Sequence, residues 1–364
     1  MATATPATGT PAYINTSPFY SLQLRKFTSA ALVTLLAFIV TFALLLPFGN
    51  MALMSVKTPE QITASATGLI WPMEPQTYVY EGEEVNIYNV PFENGEVRQL
   101  ALVQPSRRES QFIDPANPDA GLIPWTGNWR GLSMVTELEP HFENFGTAWE
   151  MINFPLLFRN TLVIAVTGMI GTLLSSICVA YAFARFPIPG KNILFLVLIG
   201  TIILPSQVTL IPTYAFFARI DWVGTWLPLI VPHFFANAYN VFLLRQFFMT
   251  LPRELDEAAM IDGAGPFKIL TRVIIPQSWP AIISVSLFHL IFAWNDFFNP
   301  LIYLLGKPEL QPISVGVQVF NFQYGPQPQL VQATSLMAMV LPLVIFFLAQ
   351  RAFMRGVVFT GVDK

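Results

Sequence analysis

The chain has 364 residues, of which 54% are hydrophobic and only 11% charged, against about 25% charged in an ordinary soluble domain. Three His and a single Cys178 leave little from which to build a Cys/His metal site, a disulfide framework or a Cys redox pair, and no cofactor or metal is expected. A net charge of −3 carries no excess of Lys and Arg, which argues against nucleic acid as a partner and leaves a polytopic membrane protein as the class.

Residues 1–21, rich in Thr, Ala and Pro, read as a disordered tail. Beyond them the spans are found by charge: crossing about 30 Å of hydrocarbon takes about 20 mostly apolar residues. Six stretches lack Asp, Glu, Lys and Arg altogether, at 27–56, 160–184, 192–218, 222–244, 273–295 and 310–350. Continuous runs favour helices over the short alternating strands of a barrel. The apolar core of the first run, 27–48, exceeds the roughly 7–15 residue centre of a cleaved signal peptide and reads as an uncleaved span. Arg25 and Lys26 ahead of it hold the N-terminus in the cytoplasm, and six spans return the C-terminus there. The inner side then receives Arg185, Lys191, Arg245, Arg253, Lys268, Arg272, Arg351, Arg355 and Lys364, the short outer loops only Arg219 and Lys307. The division is a cytoplasmic tail at 1–26, a first span at 27–56, an extracytoplasmic segment at 57–159, and a five-helix core at 160–364 with a cytoplasmic loop at 249–280.

The 57–159 segment holds 14 of the 22 acidic residues and 6 basic ones. Prolines from Pro59 to Pro140 punctuate it, and Trp71, Tyr78, Tyr80, Tyr88, Trp125 and Trp129 lie among them, a pattern of turns and short strands. Tyr78-Val-Tyr80 and Val85-Asn-Ile-Tyr88 can pair as a hairpin with residues 81–84 near its turn. The segment either touches an external protein or caps the membrane helices; residue types alone leave both open.

Between the fourth and fifth spans, residues 251–276 predict helix, turn, helix. Thr250 fits an N-cap, Pro252 a first turn, and Glu254, Asp256 and Glu257 the positive end of a helix dipole. Gly263 or Gly265 can end that helix, and a second can run from Pro266 until Pro276 interrupts it. Leu255, Ala258, Ala259 and Asp262 share one face of the first helix. Such a pair either fits a partner's groove or simply connects two spans.

Glu257-Ala258-Ala259, then Gly263, then Val273-Ile274-Ile275-Pro276, resembles the EAA loop of permease subunits in binding-protein-dependent ABC importers. Flanking stretches extend the likeness over 160–364: Asn160-Thr-Leu-Val, Ala180-Tyr-Ala-Phe-Ala-Arg185, Leu204-Pro-Ser-Gln-Val-Thr-Leu-Ile-Pro212, Phe242-Leu-Leu-Arg-Gln-Phe247, Trp294-Asn-Asp-Phe297 and Gln350-Arg-Ala-Phe-Met-Arg-Gly356. Together they are similar to the second permease of the carbohydrate, maltose-type branch. The resemblance implies an all-α membrane protein of the bacterial or archaeal cytoplasmic (inner) membrane, working with a second permease, a cytoplasmic ATPase dimer, an external solute-binding protein and a carbohydrate. It further implies that Glu257, Ala258, Ala259, Asp262, Gly263 and Pro276 form the site coupled to the ATPase. The 57–159 segment has no match in that pattern. The chain itself lacks a Gly-x-x-x-x-Gly-Lys-Ser/Thr loop, so ATP hydrolysis is expected on another chain.

Trp294, Asn295 and Asp296 end the fifth run, and an ionisable residue in a span usually faces protein or a wet cavity. They are candidates for the translocation path; a helix-end cap or packing role is the simpler reading, because the resemblance implies that most sugar contacts come from the partner permease. His289 reads as a hydrogen-bonded packing residue, Cys178 as a small packing residue, and Pro205, Pro212, Pro228, Pro232 and Pro342 as helix interruptions. Three other classes compete. An ion-coupled secondary transporter is disfavoured by the scarcity of intramembrane carboxylates, an intramembrane enzyme by the lack of Gly-x-Ser-x-Gly and His-Glu-x-x-His, and a membrane-anchored interaction protein by the EAA spacing.

Overall fold

The computed structural model describes residues 18–65, 70–92, 95–322 and 326–358. Most of the tail expected to be disordered lies outside these, as does Lys364. The chain divides into two compact units, Met1–Ala52 and Leu53–Lys364. The first is a single apolar helix, α1 (Pro18–Ser55), which passes Pro47 unbroken and ends just inside the second unit.

In the second unit a short helix α2 (Pro59–Ser65) leads, among the described residues, into eight strands. They are β1 (Met73–Pro75), β2 (Thr77–Tyr80), β3 (Glu83–Pro91), β4 (Val97–Gln104), β5 (Glu109–Ile113), β6 (Ile123–Thr126), β7 (Ser133–Met134) and β8 (Thr136–Leu138). β2 to β6 form an antiparallel meander with β7 also on β3, and β1 pairs with β8. The expectation of an all-α chain is therefore corrected: the insertion is a β-sheet unit. The hairpin read from the sequence is present, with Tyr78 opposite Val85 and Tyr80 opposite Glu83. Its two turn residues, Glu81 and Gly82, both have positive φ, as a two-residue turn matched to strand twist requires.

Both faces of this sheet are apolar, and alternation assigns them. Even-numbered Tyr88, Val90, Leu100, Leu102 and Phe112 bury one face with Trp125 and Trp129, and odd-numbered Ile87, Ala101 and Ile113 the other with Tyr78, Tyr80 and Val85. The ends of the segment are stitched together: the His141 N–H donates to the Val56 carbonyl (2.8 Å), and the Asn144 amide to the carbonyls of Ser55 (2.9 Å) and Lys57 (3.0 Å).

The helical part follows as α3 (Glu143–Met151), α4 (Phe154–Arg185), α5 (Lys191–Gly200), α6 (Ser206–Arg219), α7 (Leu227–Ile230), α8 (Ala238–Thr250), α9 (Glu254–Ile261), α10 (Pro266–Ile269), α11 (Ile275–Gln277), α12 (Trp279–Asn295), α13 (Phe298–Tyr303), α14 (Ile313–Gly316), α15 (Val319–Phe322) and α16 (Pro328–Val358). α4 is central. Gly168, Thr172, Ser176, Ala180 and Ala184 recur every fourth residue along it and are all buried; small side chains on one stripe let α8 and α12 pack close against it. Ile177 and Tyr181 of α4, Val241, Leu244 and Phe248 of α8, Ile269 and Ile274, and Ile282 and Val285 of α12 form one core.

Among the described residues four helices are long and apolar enough to cross a membrane, Arg25–Ser55, Phe154–Arg185, Leu227–Thr250 and Pro328–Gln350. Two further pairs reach that length only across a bend, Lys191–Ile203 with Val208–Arg219 (97°) and Pro266–Gln277 with Trp279–Asn295 (82°). Pro205 stands at the first bend and Pro232 in the turn between α7 and α8, whereas Pro212 and Pro342 sit inside unbroken helices, against the expected interruptions. The last run starts later than expected, since a helical turn at Pro308–Leu310 and the short helices α14 and α15 come before α16, which begins at Pro328. Cys178 is exposed on α4 and does not pack in the core.

Candidate coupling site and membrane path

α8 ends at Thr250, whose hydroxyl donates back to the Phe247 carbonyl (2.7 Å). Thr250 thus closes one helix and does not cap the next, a correction to the expected N-cap; a hydroxyl one turn past a carbonyl finds it before any later amide. Pro252 lies in the turn before α9. The amides of Asp256 and Glu257 donate to the Arg253 carbonyl (3.0 and 3.1 Å) and start the helix.

Of the two glycines, Gly263 ends it. Its φ is +76°, its N–H donates to the Met260 carbonyl (3.0 Å), and the Ala264 N–H donates to the Ala259 carbonyl (2.9 Å). That pair of bonds is a Schellman termination, completed by an apolar contact across the cap. Ala259 and Ala264 both pack on the helical core. The spacing Ala259 to Gly263 is therefore a capping requirement: the residue four positions on must take a left-handed backbone, where any Cβ is strained.

Glu257, Ala258 and Asp262 stand exposed, while Ala259 is half-buried on the chain's own core. Around them Ile261 is 87% and Phe267 77% exposed. The sequence face drawn through Leu255, Ala258, Ala259 and Asp262 is thus split, with Ala259 on its inner margin. Asp256 points the opposite way. Its Oδ2 lies 2.8 Å from Arg185 Nε at the end of α4, with both side chains nearly buried, and Arg185 also donates to the Leu251 carbonyl (3.0 Å). This clamp was missed in the sequence, where Asp256 registered only as one more acid in the first helical turn.

Beyond Gly265, α10 runs through a π-turn at Leu270–Ile274 into α11, and the chain breaks at Ser278. Pro276 lies within the first turn of α11, so the break falls two residues later than expected; a proline there loses no hydrogen bond that the π register had not already displaced. Glu257, Ala258, Ala259, Asp262 and Gly263 thus share one short helix and its cap, and Pro276 stands on a separate turn.

At the other end of α12, Trp294 is buried with Phe158 edge-on to it (5.7 Å). The Asn295 amide donates to the Ile291 carbonyl (2.8 Å), and the Asp296 carboxylate accepts from Asn299 Nδ2 (3.0 Å) and the Asn299 N–H (3.3 Å). These are packing and capping contacts. His289 pairs through Nδ1 with the Thr172 hydroxyl (3.1 Å), and its Nε2 has no partner among the described residues.

Residues 171–358 match the family model of the binding-protein-dependent transport system inner membrane component. The chain belongs to this family. This permease is 32% identical over 257 residues to the osmoprotective compounds uptake permease protein of Synechocystis sp., covering 70% of this chain and 85% of that one. It is also 32% identical over 209 residues to the alpha-glucoside transport system permease protein of Rhizobium meliloti, 55% of this chain and 54% of that one. In fold it is similar to a chain of a bacterial ABC transporter involved in the import of the acidic polysaccharide alginate, with a TM-score of 0.63, 19% identity, and 93% of this chain and all of that chain (100%) covered. The permease is accordingly a membrane subunit of an ABC importer and not an enzyme, and ATP hydrolysis belongs to a separate ATPase chain.

Proposed function

We propose that this permease carries a carbohydrate delivered by an external solute-binding protein, through a path it forms with a second permease, and that α9 couples that path to the ATPase dimer. In this reading Glu257, Ala258, Asp262 and Gly263 meet the ATPase, Ala259 seats the helix on the core, and Pro276 fixes the exit of the loop. The observation that carries it is the design of α9: a firmly terminated helix whose Glu257 and apolar neighbours are exposed while Asp256 anchors it to α4. Because α4, α8 and α12 share one core, and close-packed interiors transmit displacement, a push on α9 moves the helices as a body. The alpha-glucoside relative supports a carbohydrate cargo.

Each bent pair then counts as one span, giving six, with both termini cytoplasmic and the sheet of residues 57–159 outside, where its acidic surface steers the binding protein. Replacing Glu257 by Lys reverses a charge-assisted contact of about 1.5–3 kcal/mol. Uptake in reconstituted liposomes is expected to fall at least about tenfold with normal membrane insertion; wild-type uptake and ATPase binding in that variant contradict the assignment.

A further inference from the structure

A cavity of about 340 Å³ lies between α8, α12 and the turn at Val231–Phe234, a volume within the range of small-ligand sites. Its lining is three aromatic rings, Tyr239, Phe288 and Phe292, two amides, Asn237 and Asn240, and two imidazoles, His233 and His289. No Asp, Glu, Lys or Arg is among the described residues that line it.

The polar groups are only partly satisfied within the chain. Asn237 Oδ1 caps α8, accepting from the N–H groups of Tyr239 (3.0 Å) and Asn240 (3.3 Å), which leaves its NH2 to donate. His289 is 5% exposed and spends Nδ1 on Thr172, yet Nε2 is without a partner among the described residues. An unpaired polar atom buried this deeply is a cost that the fold carries at a residue lining the cavity. The imidazoles meet edge-on at 4.6 Å and pack closely on Gly168, where a Cβ would lie 3.0 Å from His289 Nε2 and 3.1 Å from His233 Cδ2.

We infer that this cavity is a binding subsite, on this chain, for a neutral carbohydrate in transit; the inference rests on the importer reading above. Hydroxyls donate and accept alike and so suit amides and imidazoles, and the C–H faces of a sugar ring suit Tyr239 and Phe292. Carboxylate or phosphate groups call for Arg or Lys, which the lining lacks. The resemblance alone places most sugar contacts on the partner permease and draws attention to Trp294, Asn295 and Asp296, none of which is among the described residues that line the cavity.

The test uses the complete complex with its binding protein in liposomes, offered a panel of neutral oligosaccharides and a panel of oligouronates and glycerol phosphate. The expected result is ATP-dependent uptake of a neutral sugar. Tyr239→Ala and Phe292→Ala, which remove exposed rings, are expected to cut the rate at saturating loaded binding protein at least about tenfold, with half-saturation by the binding protein and yield of complex preserved. A second readout is Tyr239→Cys with Cys178→Ser, whose labelling by a maleimide is slowed by the transported sugar in the complex without binding protein. Transport of anionic solutes only, or wild-type rates in both alanine variants without protection of the cysteine, overturns the subsite. Absence of any ATP-dependent uptake overturns the importer reading itself and the subsite with it.

Discussion

Asn160 is fully buried near the start of α4, and its amide donates to the carbonyls of Glu309 (2.9 Å) and Gln311 (3.0 Å) while Thr161 accepts from the Ile313 N–H (2.9 Å). In the sequence this pair was legible only as part of a family pattern, because its partners lie about 150 residues away. Asn160→Ala leaves two carbonyls without donors and is expected to lower stability by about 2–3 kcal/mol, read as the unfolding midpoint in detergent; an unchanged midpoint contradicts the clamp. His141 joins β1 to α3 by bonding Glu74 (3.0 Å) and Glu143. Burial pulls its imidazole down, but the bonds and charges of Glu143 and Glu74 outweigh that and raise its pKa above the ordinary value. Glu143 is held below the usual carboxylate range, first by its own backbone N–H and then by His141. A raised histidine pKa stabilises the fold below about pH 6.5 and the gain is lost as pH rises through the folded value; the lowered Glu143 acts above its ordinary pKa and is lost toward acid. The thermal midpoint is therefore expected to fall between about pH 6 and pH 9 by more in the wild type than in His141→Gln; parallel curves contradict the bridge.

At the scale of elements, α9 shows what spacing can and cannot reveal. The glycine that ends the helix was visible as one of two candidates, since a left-handed cap favours that residue type, and the structure selects Gly263 because Ala259 and Ala264 can then close on the core. The inward turn of Asp256 was not visible, because its partner Arg185 lies at the far end of another span. Removing one member of a buried ion pair strands the other, at a cost of about 3–5 kcal/mol. Arg185→Ala is expected to speed hydrogen exchange across Glu254–Ile261, and Arg185→Leu with Asp256→Leu to restore protection; slow exchange in the single variant contradicts the anchoring role. The stripe from Gly168 to Ala184 was equally hidden, since absence of charge finds a span but says nothing of which side meets a neighbour.

For the whole molecule, the apolar runs located the membrane helices, while breaks at Ser278 and near Pro205 set bends that hydropathy does not register. Of the sheet, the first hairpin was legible in the sequence and the rest only as a pattern of turns and short strands; its closure by β7 on β3 and β8 on β1 depends on pairings distant in sequence, and so the insertion disappeared into an all-helical summary. The account's central claim is that this permease moves solute only as part of a complex powered by another chain. Its most direct test is to purify the tagged protein from native membranes in mild detergent and identify stoichiometric partners by mass. The account predicts a second permease and an ATPase bearing the phosphate-binding loop that this chain lacks. Recovery of the chain alone, with transport retained in liposomes under an ion gradient, would contradict it.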